Sequence, residues 1–181
     1  MINPGTKLPE LTAPACVGVQ EGKEFSTFTT RSVAGKWLVL YTYPKDFTFV
    51  CPTEIVEFDR NLPAFDKRDA LLVGGSTDNE YAHLAWRRSD EALRGLSHPL
   101  IHISPELAQA LDIVHPSAGV ALRATIISDP EGVVRFASAN YLSVGRNVEE
   151  VLRVLDGLQT GELTACNWRP GEVTLSGSGT R

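Results

Sequence analysis

The chain has 181 residues, 43% of them hydrophobic and 22% charged, which is enough apolar material for the core of one domain. Its formal net charge of −5 does not favour binding to nucleic-acid phosphates or to an anionic membrane surface. No stretch approaches the roughly 18 apolar residues of a membrane span, and the first residues lack the basic and apolar regions of a secretion signal, so we expect a cytoplasmic protein with small-molecule or protein partners.

Apolar runs bounded by turn residues alternate with segments of helical period, a pattern typical of an α/β domain built around one central sheet. The predicted strands span residues 37–43, 70–74, 100–103, 124–128 and 133–137. The last two flank the turn sequence Asp129-Pro130-Glu131-Gly132, and we expect them to form an antiparallel hairpin at the edge of the sheet.

Four segments have a helical pattern of apolar residues. The first begins at Cys51-Pro52 and is kinked or interrupted by Pro63. The next two cover residues 78–90 and 105–111, and the last begins at Asn147, whose side chain is suited to cap it. This order predicts a thioredoxin-like fold, in which helices flank a central mixed sheet, over one domain at residues 1–175 that ends in a mobile segment. Residues 176–181, SGSGTR, have the composition of a flexible tail.

The chain has three cysteines, Cys16, Cys51 and Cys166, and no Cys-x-x-Cys pair. Three are too few for a disulfide-stapled scaffold, and in a reducing compartment a disulfide between two of them is more often catalytic than structural. His98 and His102 are four residues apart, but Pro99 between them disfavours a shared helix face. We therefore predict no metal site and, because no glycine-rich phosphate motif occurs, no nucleotide cofactor.

Cys51 follows the first predicted strand and a short loop, and it stands directly ahead of Pro52. Proline is favoured in the first turn of a helix because its missing N–H costs nothing there. The thiol is therefore predicted to lie at a helix amino terminus, where free N–H groups and the helix dipole favour the thiolate. The alternative is a buried structural cysteine, which is the commonest fate of a free thiol.

Residues 43–54, YPKDFTFVCPTE, resemble the Pro-x-x-x-Thr-x-x-Cys signature of peroxiredoxins, in the form typical of alkyl hydroperoxide reductase C. Residues 119–125 are similar to the segment that brings an arginine to the active site in that family, and residues 83–86 and 143–147 also match. The resemblance covers nearly the whole chain. It implies the thioredoxin-like fold and the chemistry of the typical two-cysteine branch.

By this resemblance Cys51 is the peroxidatic nucleophile. Thr48 would place its hydroxyl against the peroxide and the sulfur, Pro44 would shield the thiolate from water, and Arg123 would hydrogen-bond both reactants. Each of these three residues also has a simpler interpretation, because Thr48 could cap a helix, Pro44 could end a strand and a lone arginine is usually a surface charge. Glu54 is expected to orient local hydrogen bonds.

The carboxyl-terminal segment departs from the family pattern Val-Cys-Pro-x-x-Trp. Here residues 163–168 read LTACNW, so Thr164 stands at the usual resolving position and Cys166 lies two residues later. Some relatives have cysteines at both positions, so Cys166 resembles the second of that pair and is the best available resolving residue. The alternative is an inert surface thiol in a one-cysteine peroxidase. Cys16 lies at residues 13–19 in an amino-terminal strand or loop, has no counterpart in the family and is interpreted as passive.

The resemblance implies an antioxidant enzyme in which a hydroperoxide oxidises Cys51 to a sulfenic acid, which then condenses with Cys166 of a neighbouring protomer. An external dithiol protein, such as a thioredoxin or an alkyl hydroperoxide reductase flavoprotein, would reset the enzyme, and homodimers would assemble into a ring such as a decamer. Two other classes stay open on the sequence. One is disulfide exchange of the thioredoxin type, although Glu54 stands where that chemistry normally has its second cysteine; the other is a redox-controlled holdase or sensor.

Overall fold

A seven-stranded mixed sheet lies at the centre of the fold in a computed structural model that describes residues 1–176. The strands are β1 (Thr12–Cys16), β2 (Phe25–Thr29), β3 (Trp37–Thr42), β4 (Ala70–Ser76), β5 (Leu100–His102), β6 (Arg123–Ser128) and β7 (Val134–Asn140). Their order across the sheet is β2-β1-β5-β4-β3-β6-β7. The pairs β3·β4 and β4·β5 are parallel and the other neighbours are antiparallel, which confirms the predicted mixed sheet with a hairpin at its edge.

The α-helices of the described residues are α1 (Cys51–Arg60), α2 (Leu62–Asp66), α3 (Glu80–Ser89), α4 (Glu91–Arg94), α5 (Pro105–Ala110) and α6 (Val148–Thr160). Pro63 lies in the first turn of α2, so the predicted interruption is confirmed. The helix predicted for residues 78–90 is shorter, because Asn79 caps α3 and Asp90 ends it and caps α4. None of the described helices is long and apolar enough to cross a membrane.

Strand β3 is buried on both faces of the sheet. Because successive side chains of a strand point to opposite faces, Leu38 and Leu40 join one core with Leu107 of α5, while Tyr41 points to the other face. There the Tyr41 ring stacks on Phe58 of α1, with the ring centroids 4.0 Å apart. Cover on both faces explains why this strand reads as a continuous apolar run rather than an alternating one.

The sequence leaves residues 13–19, which include most of β1, open as a strand or a loop, and it predicts no strand at β2. Strand β1 contains Pro14, which cannot donate to a strand partner, and β2 consists mainly of serine and threonine and lies at the sheet edge. Both strands are ordered by pairing, since β1 lies between β2 and β5. The alternation of apolar and polar residues is weak in both strands, so pairing with neighbouring strands rather than local propensity decides their structure.

The chain divides into two compact units, Met1–Arg146 and Asn147–Arg181, the second of which is described to Ser176. In the second unit the side chain of Asn147 accepts a hydrogen bond from Glu150 N, as predicted, and α6 ends at Gly161 in the left-handed conformation. The organisation predicted for residues 1–175 stays a prediction. Of the predicted tail, residues 177–181 lie outside the described residues.

Two strands of the first unit bring the predicted site together. Strand β3 ends at Thr42 and leads through a loop at residues 43–50 into α1. Strand β6 runs antiparallel beside it, with Thr125 opposite Tyr41. The Thr42 hydroxyl also donates to the Leu122 carbonyl at 2.8 Å. The start of β6, where Arg123 lies, is therefore adjacent to the end of β3, from which the loop leads to Cys51.

Candidate active site

Cys51 is the first residue of α1 and is completely buried. Its position at a helix amino terminus, ahead of Pro52, is the one predicted. Val50 precedes the helix without a side-chain cap, and the Val50 carbonyl accepts hydrogen bonds from Thr53 N and Glu54 N. The positive end of the helix dipole favours a thiolate at this place.

Arg123 contacts the Cys51 thiol directly. Its Nη1 lies 3.3 Å from Cys51 Sγ and 2.6 Å from Glu54 Oε2, and its Nε donates to the Leu142 carbonyl at 2.6 Å. The side chain is only 4% exposed, so the interpretation of Arg123 as a surface charge is wrong. A guanidinium fixed at three places can hold an oxygen ligand near the sulfur without first ordering itself.

Glu54 joins Arg123 to a second buried arginine, Arg146. Glu54 Oε1 accepts hydrogen bonds from Arg146 N at 2.9 Å and Arg146 Nε at 2.8 Å. Arg146 Nη1 donates to the carbonyls of Thr42 and Ala124. Two guanidinium groups face one carboxylate here, so the cluster has a net charge of +1 that a Cys51 thiolate would neutralise.

Arg146 was not predicted as a site residue. It lies in the segment at residues 143–147 that resembles the family, but nothing in its local pattern distinguishes it from an exposed loop arginine. Its guanidinium carbon is 5.3 Å from the centre of the Tyr41 ring and 5.5 Å from that of Phe58, within range of a cation–π contact. The sequence offers only these two aromatic residues, one in a strand and one in a helix, as a sign of the site. The fold is needed to show that both contact Arg146.

Thr48 and Pro44 lie in the loop that precedes Cys51. The Thr48 hydroxyl donates to the Lys45 carbonyl at 3.1 Å, and Pro44 is buried with its carbonyl 3.4 Å from Thr77 Oγ1. In this form of the loop Thr48 stabilises a local turn. Its contact with a peroxide and the shielding role of Pro44 stay predictions.

The other two cysteines lie in different surroundings. Cys166 is exposed in the segment after α6, next to Asn167, which has φ of 58°. Cys16 is buried in β1, where Arg87 Nη1 is 3.3 Å from its carbonyl oxygen and 3.9 Å from its sulfur. Burial raises the pKa of the Cys16 thiol despite the guanidinium of Arg87. These surroundings favour the interpretation of Cys16 as a passive residue.

Comparison with known proteins adds to this geometry. A family model described as AhpC/TSA family matches residues 4–137. The chain belongs to the AhpC/TSA family. It is 50% identical over 157 residues to alkyl hydroperoxide reductase C of Mycobacterium tuberculosis, a match that covers 86% of this chain and 80% of that protein. It is also 36% identical to a thioredoxin peroxidase of Fasciola hepatica, with 97% of this chain and 92% of that protein covered.

Solved structures of the AhpC/TSA family share the fold. The reduced 2-Cys peroxiredoxin of Plasmodium vivax superimposes with a TM-score of 0.88 at 34% identity, over 94% of this chain and 91% of that chain. The predicted thioredoxin-like fold and the resemblance to peroxiredoxins are therefore confirmed. No group of three potential metal ligands occurs among the described residues of this family member.

Proposed function

We propose that this AhpC/TSA family member is a thiol-dependent peroxidase that reduces hydrogen peroxide and organic hydroperoxides. The observation that carries the proposal is the contact between Cys51 Sγ and Arg123 Nη1 at 3.3 Å, in a buried cluster with one excess positive charge. Such a site stabilises a thiolate and offers a donor to an oxygen beside it. A structural cysteine in an apolar core has neither.

The proposed first step is attack of the Cys51 thiolate on one oxygen of the peroxide. The O–O bond breaks, its electron pair leaves on the other oxygen, and that oxygen takes up a proton to give water or an alcohol. Cys51 becomes a sulfenic acid. The sulfur is oxidised by two electrons and the peroxide is reduced by two, so the step needs no metal or organic cofactor.

Arg123 would act mostly on the transition state of that step. A free cysteine is already a few per cent ionised at neutral pH, so complete ionisation adds only about thirtyfold, or roughly 2 kcal/mol. The rest of the acceleration must come from donors that hold the peroxide and stabilise charge on the leaving oxygen. Arg123 is suited to this because Glu54 and the Leu142 carbonyl already fix its orientation.

In the proposed second step, the thiol of Cys166 in a neighbouring protomer attacks the sulfenic acid, and a disulfide and water form. A dithiol protein then reduces the disulfide through thiol–disulfide exchange. Exposure of Cys166 supports its access to a partner, and the name of the Fasciola relative, thioredoxin peroxidase, supports a reductant of this class. By family resemblance, we also propose that the protein is cytoplasmic and that its dimers form a ring such as a decamer.

A peroxide-consumption assay with several candidate dithiol proteins tests the function. We expect Cys51→Ser to abolish turnover and the trapping of sulfenic acid, because a hydroxyl is not ionised at neutral pH. Cys16→Ser is the matched control and should keep the wild-type rate. Full turnover by Cys51→Ser would overturn the proposal. Slow oxidation that only alters assembly or chaperone activity would instead support a redox sensor.

A further inference from the structure

Trp168, two residues after Cys166, packs against helix α6. Its side chain lies beside Gly157, since a β-carbon placed on that glycine would be 3.8 Å from Trp168 Cζ3, and the residue is only 4% exposed. Trp168 Nε1 donates to the Glu172 carbonyl at 3.0 Å. The exposed thiol of Cys166 therefore lies close in sequence to a residue that is fixed on its own chain.

Arg153 of α6 holds this tryptophan by its backbone. Arg153 Nη1 donates to the Trp168 carbonyl at 3.1 Å. The other edge of the guanidinium pairs with Glu150, as Nε donates to Oε2 at 2.6 Å and Nη2 donates to Oε1 at 2.7 Å. An ion pair this exposed contributes little to stability by itself, but two parallel bonds fix the plane of the guanidinium. Nη1 therefore has a defined direction toward the Trp168 carbonyl.

The turn at residues 165–168 needs this support. Trp168 N donates to the Ala165 carbonyl at 3.1 Å, and Asn167 has φ of 58°, a left-handed backbone that is costly for a residue with a side chain. Trp168 is bonded through its N, its carbonyl and its ring, so these contacts favour one form of the turn. In that form Cys166 is exposed.

The chain is also held on the other side of Cys166. The Leu163 carbonyl accepts a hydrogen bond from Leu175 N at 2.7 Å, and Leu163 N donates to Ser176 Oγ at 2.8 Å. Residues 164–167 therefore join two held points. A segment this short between held ends has few conformations, so the Cys166 thiol has a small range of positions.

The guanidinium of Arg153 is charged whenever the thiol has to be placed. Hydrogen bonds to Glu150 raise the pKa of Arg153, and Cys166 acts in the same direction as a smaller cause. Arginine does not lose its proton in proteins. The bond from Arg153 to the Trp168 carbonyl is therefore expected to hold at every pH at which the enzyme works.

We propose that Arg153 is a positioning residue for the second step of the cycle: through the Trp168 carbonyl it holds the turn that presents Cys166 to the sulfenic acid of a neighbouring protomer. The inference rests on the proposed function, with Cys166 as the resolving thiol. It assigns Arg153 no contact with the peroxide or with Cys51. A thiol on an ordered turn loses less conformational entropy in reaching the transition state, so loss of this bond should slow disulfide formation and spare the peroxide step.

Measurement of the two steps separately tests this role. After one equivalent of hydrogen peroxide, we expect Arg153→Ala to form the disulfide about tenfold more slowly than the wild type, as a displaced reacting group does. Oxidation of Cys51 to the sulfenic acid should keep its wild-type rate. Rapid quenching followed by non-reducing gels and sulfenic acid trapping gives both rates. Arg153→Lys, which keeps the charge but not the paired fork, should form the disulfide at an intermediate rate.

The matched control is Arg169→Ala. Arg169 follows Trp168 directly and bonds Glu172 through its backbone N, which alanine keeps. This variant loses one positive charge in the same segment but retains the bond from Arg153 to the Trp168 carbonyl. It should form the disulfide at the wild-type rate, and equal slowing of Arg169→Ala and Arg153→Ala would overturn the positioning role.

Two further measurements separate positioning from an effect of charge or of general structure. Glutathione attacks the Cys51 sulfenic acid without the use of Cys166, so its reaction should be equally fast in Arg153→Ala and the wild type. The ratio of the two disulfide rates should also stay constant across the neutral pH range. A ratio that approaches one as the pH rises would show that Arg153 acts on the ionisation of Cys166, and this would overturn positioning.

Hydrogen exchange of the Trp168 indole N–H in the reduced protein tests the anchor without turnover. We expect faster exchange in Arg153→Ala than in the wild type or Arg169→Ala. If Arg153→Ala does not fold, Glu150→Gln, which leaves the guanidinium less firmly oriented, should show the same changes on a smaller scale. Unchanged exchange in the variant would show that Arg153 does not hold Trp168.

The remaining outcomes distinguish this role from the proposed function. A disulfide step in Arg153→Ala that is unchanged or faster, or an equal slowing of both steps, would overturn the positioning role. A wild-type protein that reacts with peroxide but forms no Cys166 disulfide would do the same and leave the peroxidase function intact. A wild-type protein that does not react with peroxide would overturn the proposed function itself.

Discussion

Around Cys51, three ionisable side chains lie together in a region that is almost completely buried from solvent. Glu54, Arg123 and Arg146 are each at most 4% exposed at the side chain. Charges in such surroundings interact more strongly than in water, and removal of one leaves the others uncompensated. Each member of the cluster is therefore expected to have a large and distinct effect when it is replaced.

Arg123→Ala is expected to slow the reaction of Cys51 with hydrogen peroxide by about a hundredfold to a thousandfold, because it removes a fixed donor to the reacting oxygens. Stopped-flow tryptophan fluorescence measures this rate. The control is Arg60→Ala on α1, which removes an exposed arginine that pairs with Glu57. A wild-type rate for Arg123→Ala would show that its contact with Cys51 has no catalytic value.

Glu54→Gln is expected to lower the free energy of unfolding by about 3 kcal/mol, because two buried guanidinium groups then lack a carboxylate. Urea unfolding followed by circular dichroism measures the loss. Glu57→Gln, one turn along the same helix at a partly exposed position, should lose less than about 1 kcal/mol. Equal losses in the two variants would contradict the charge argument.

The sequence predicts this site unevenly. Cys51 and its place before a helix follow from the Cys-Pro pair, and Arg123 follows from family resemblance. Arg146 could not be found by pattern, because an arginine in a loop is usually exposed and its aromatic partners lie about 100 residues earlier in the chain. Its burial depends on the pairing of β3 with β6, which no local signal reports.

At the scale of elements, a polar link joins β3, α1 and the segment before β5. Tyr41 of β3 bonds His98, and His98 bonds Asp59 of α1, which also accepts from Ser97 N. Burial acts to raise the pKa of Asp59, but the hydrogen bonds from His98 and Ser97 outweigh it and leave the pKa below its usual value. The link favours a neutral His98 and an ionised Asp59.

This link predicts a loss of stability on acidification. Burial lowers the pKa of His98, so below about pH 6.5 the unfolded chain binds a proton that the folded protein does not. The free energy of unfolding should therefore fall as the pH drops from 7 to 5, by up to about 1.4 kcal/mol per pH unit from this residue. The fall should be shallower in His98→Gln, whereas His115→Gln, in an exposed loop, should keep the wild-type slope. Equal slopes would contradict the assignment.

Elements with strong local signals were predicted well. The β6–β7 hairpin has proline and glycine in its turn, α6 has its asparagine cap, and Pro63 divides α1 from α2. Strands β1 and β2 lack such signals, and they exist because their neighbours supply hydrogen bonds. The sequence thus predicts the elements that local signals determine and misses those that depend on tertiary pairing.

At the scale of the whole molecule, oxidation is expected to link chains. With one equivalent of peroxide, wild type and Cys16→Ser should form covalent dimers, and Cys166→Ser should retain a trapped Cys51 sulfenic acid. Non-reducing gels and peptide mass mapping identify the bridges. A bridge from Cys51 to Cys16 would overturn the assignment of Cys166, and no bridge at all would place the protein in the one-cysteine class.

The division into two units was not anticipated, since composition is even along the chain. Within the second unit, Trp168 Nε1 donates to the Glu172 carbonyl and Arg153 of α6 donates to the Trp168 carbonyl. These contacts order the residues that follow Cys166, an arrangement for which the sequence pattern offers only the tryptophan itself.

Because Cys51 is completely buried, the thiol of another chain can reach it only if the start of α1 opens. In the proposed cycle a small peroxide meets the sulfur in its enclosed form, whereas the thiol of another chain meets it only after the first helical turn has opened. In that cycle the lifetime of the sulfenic acid would depend on the opening of this turn as well as on the chemical step. A second peroxide that arrives within this interval would compete with the disulfide, so we expect the stability of the first turn of α1 to influence how much oxidant inactivates the protein.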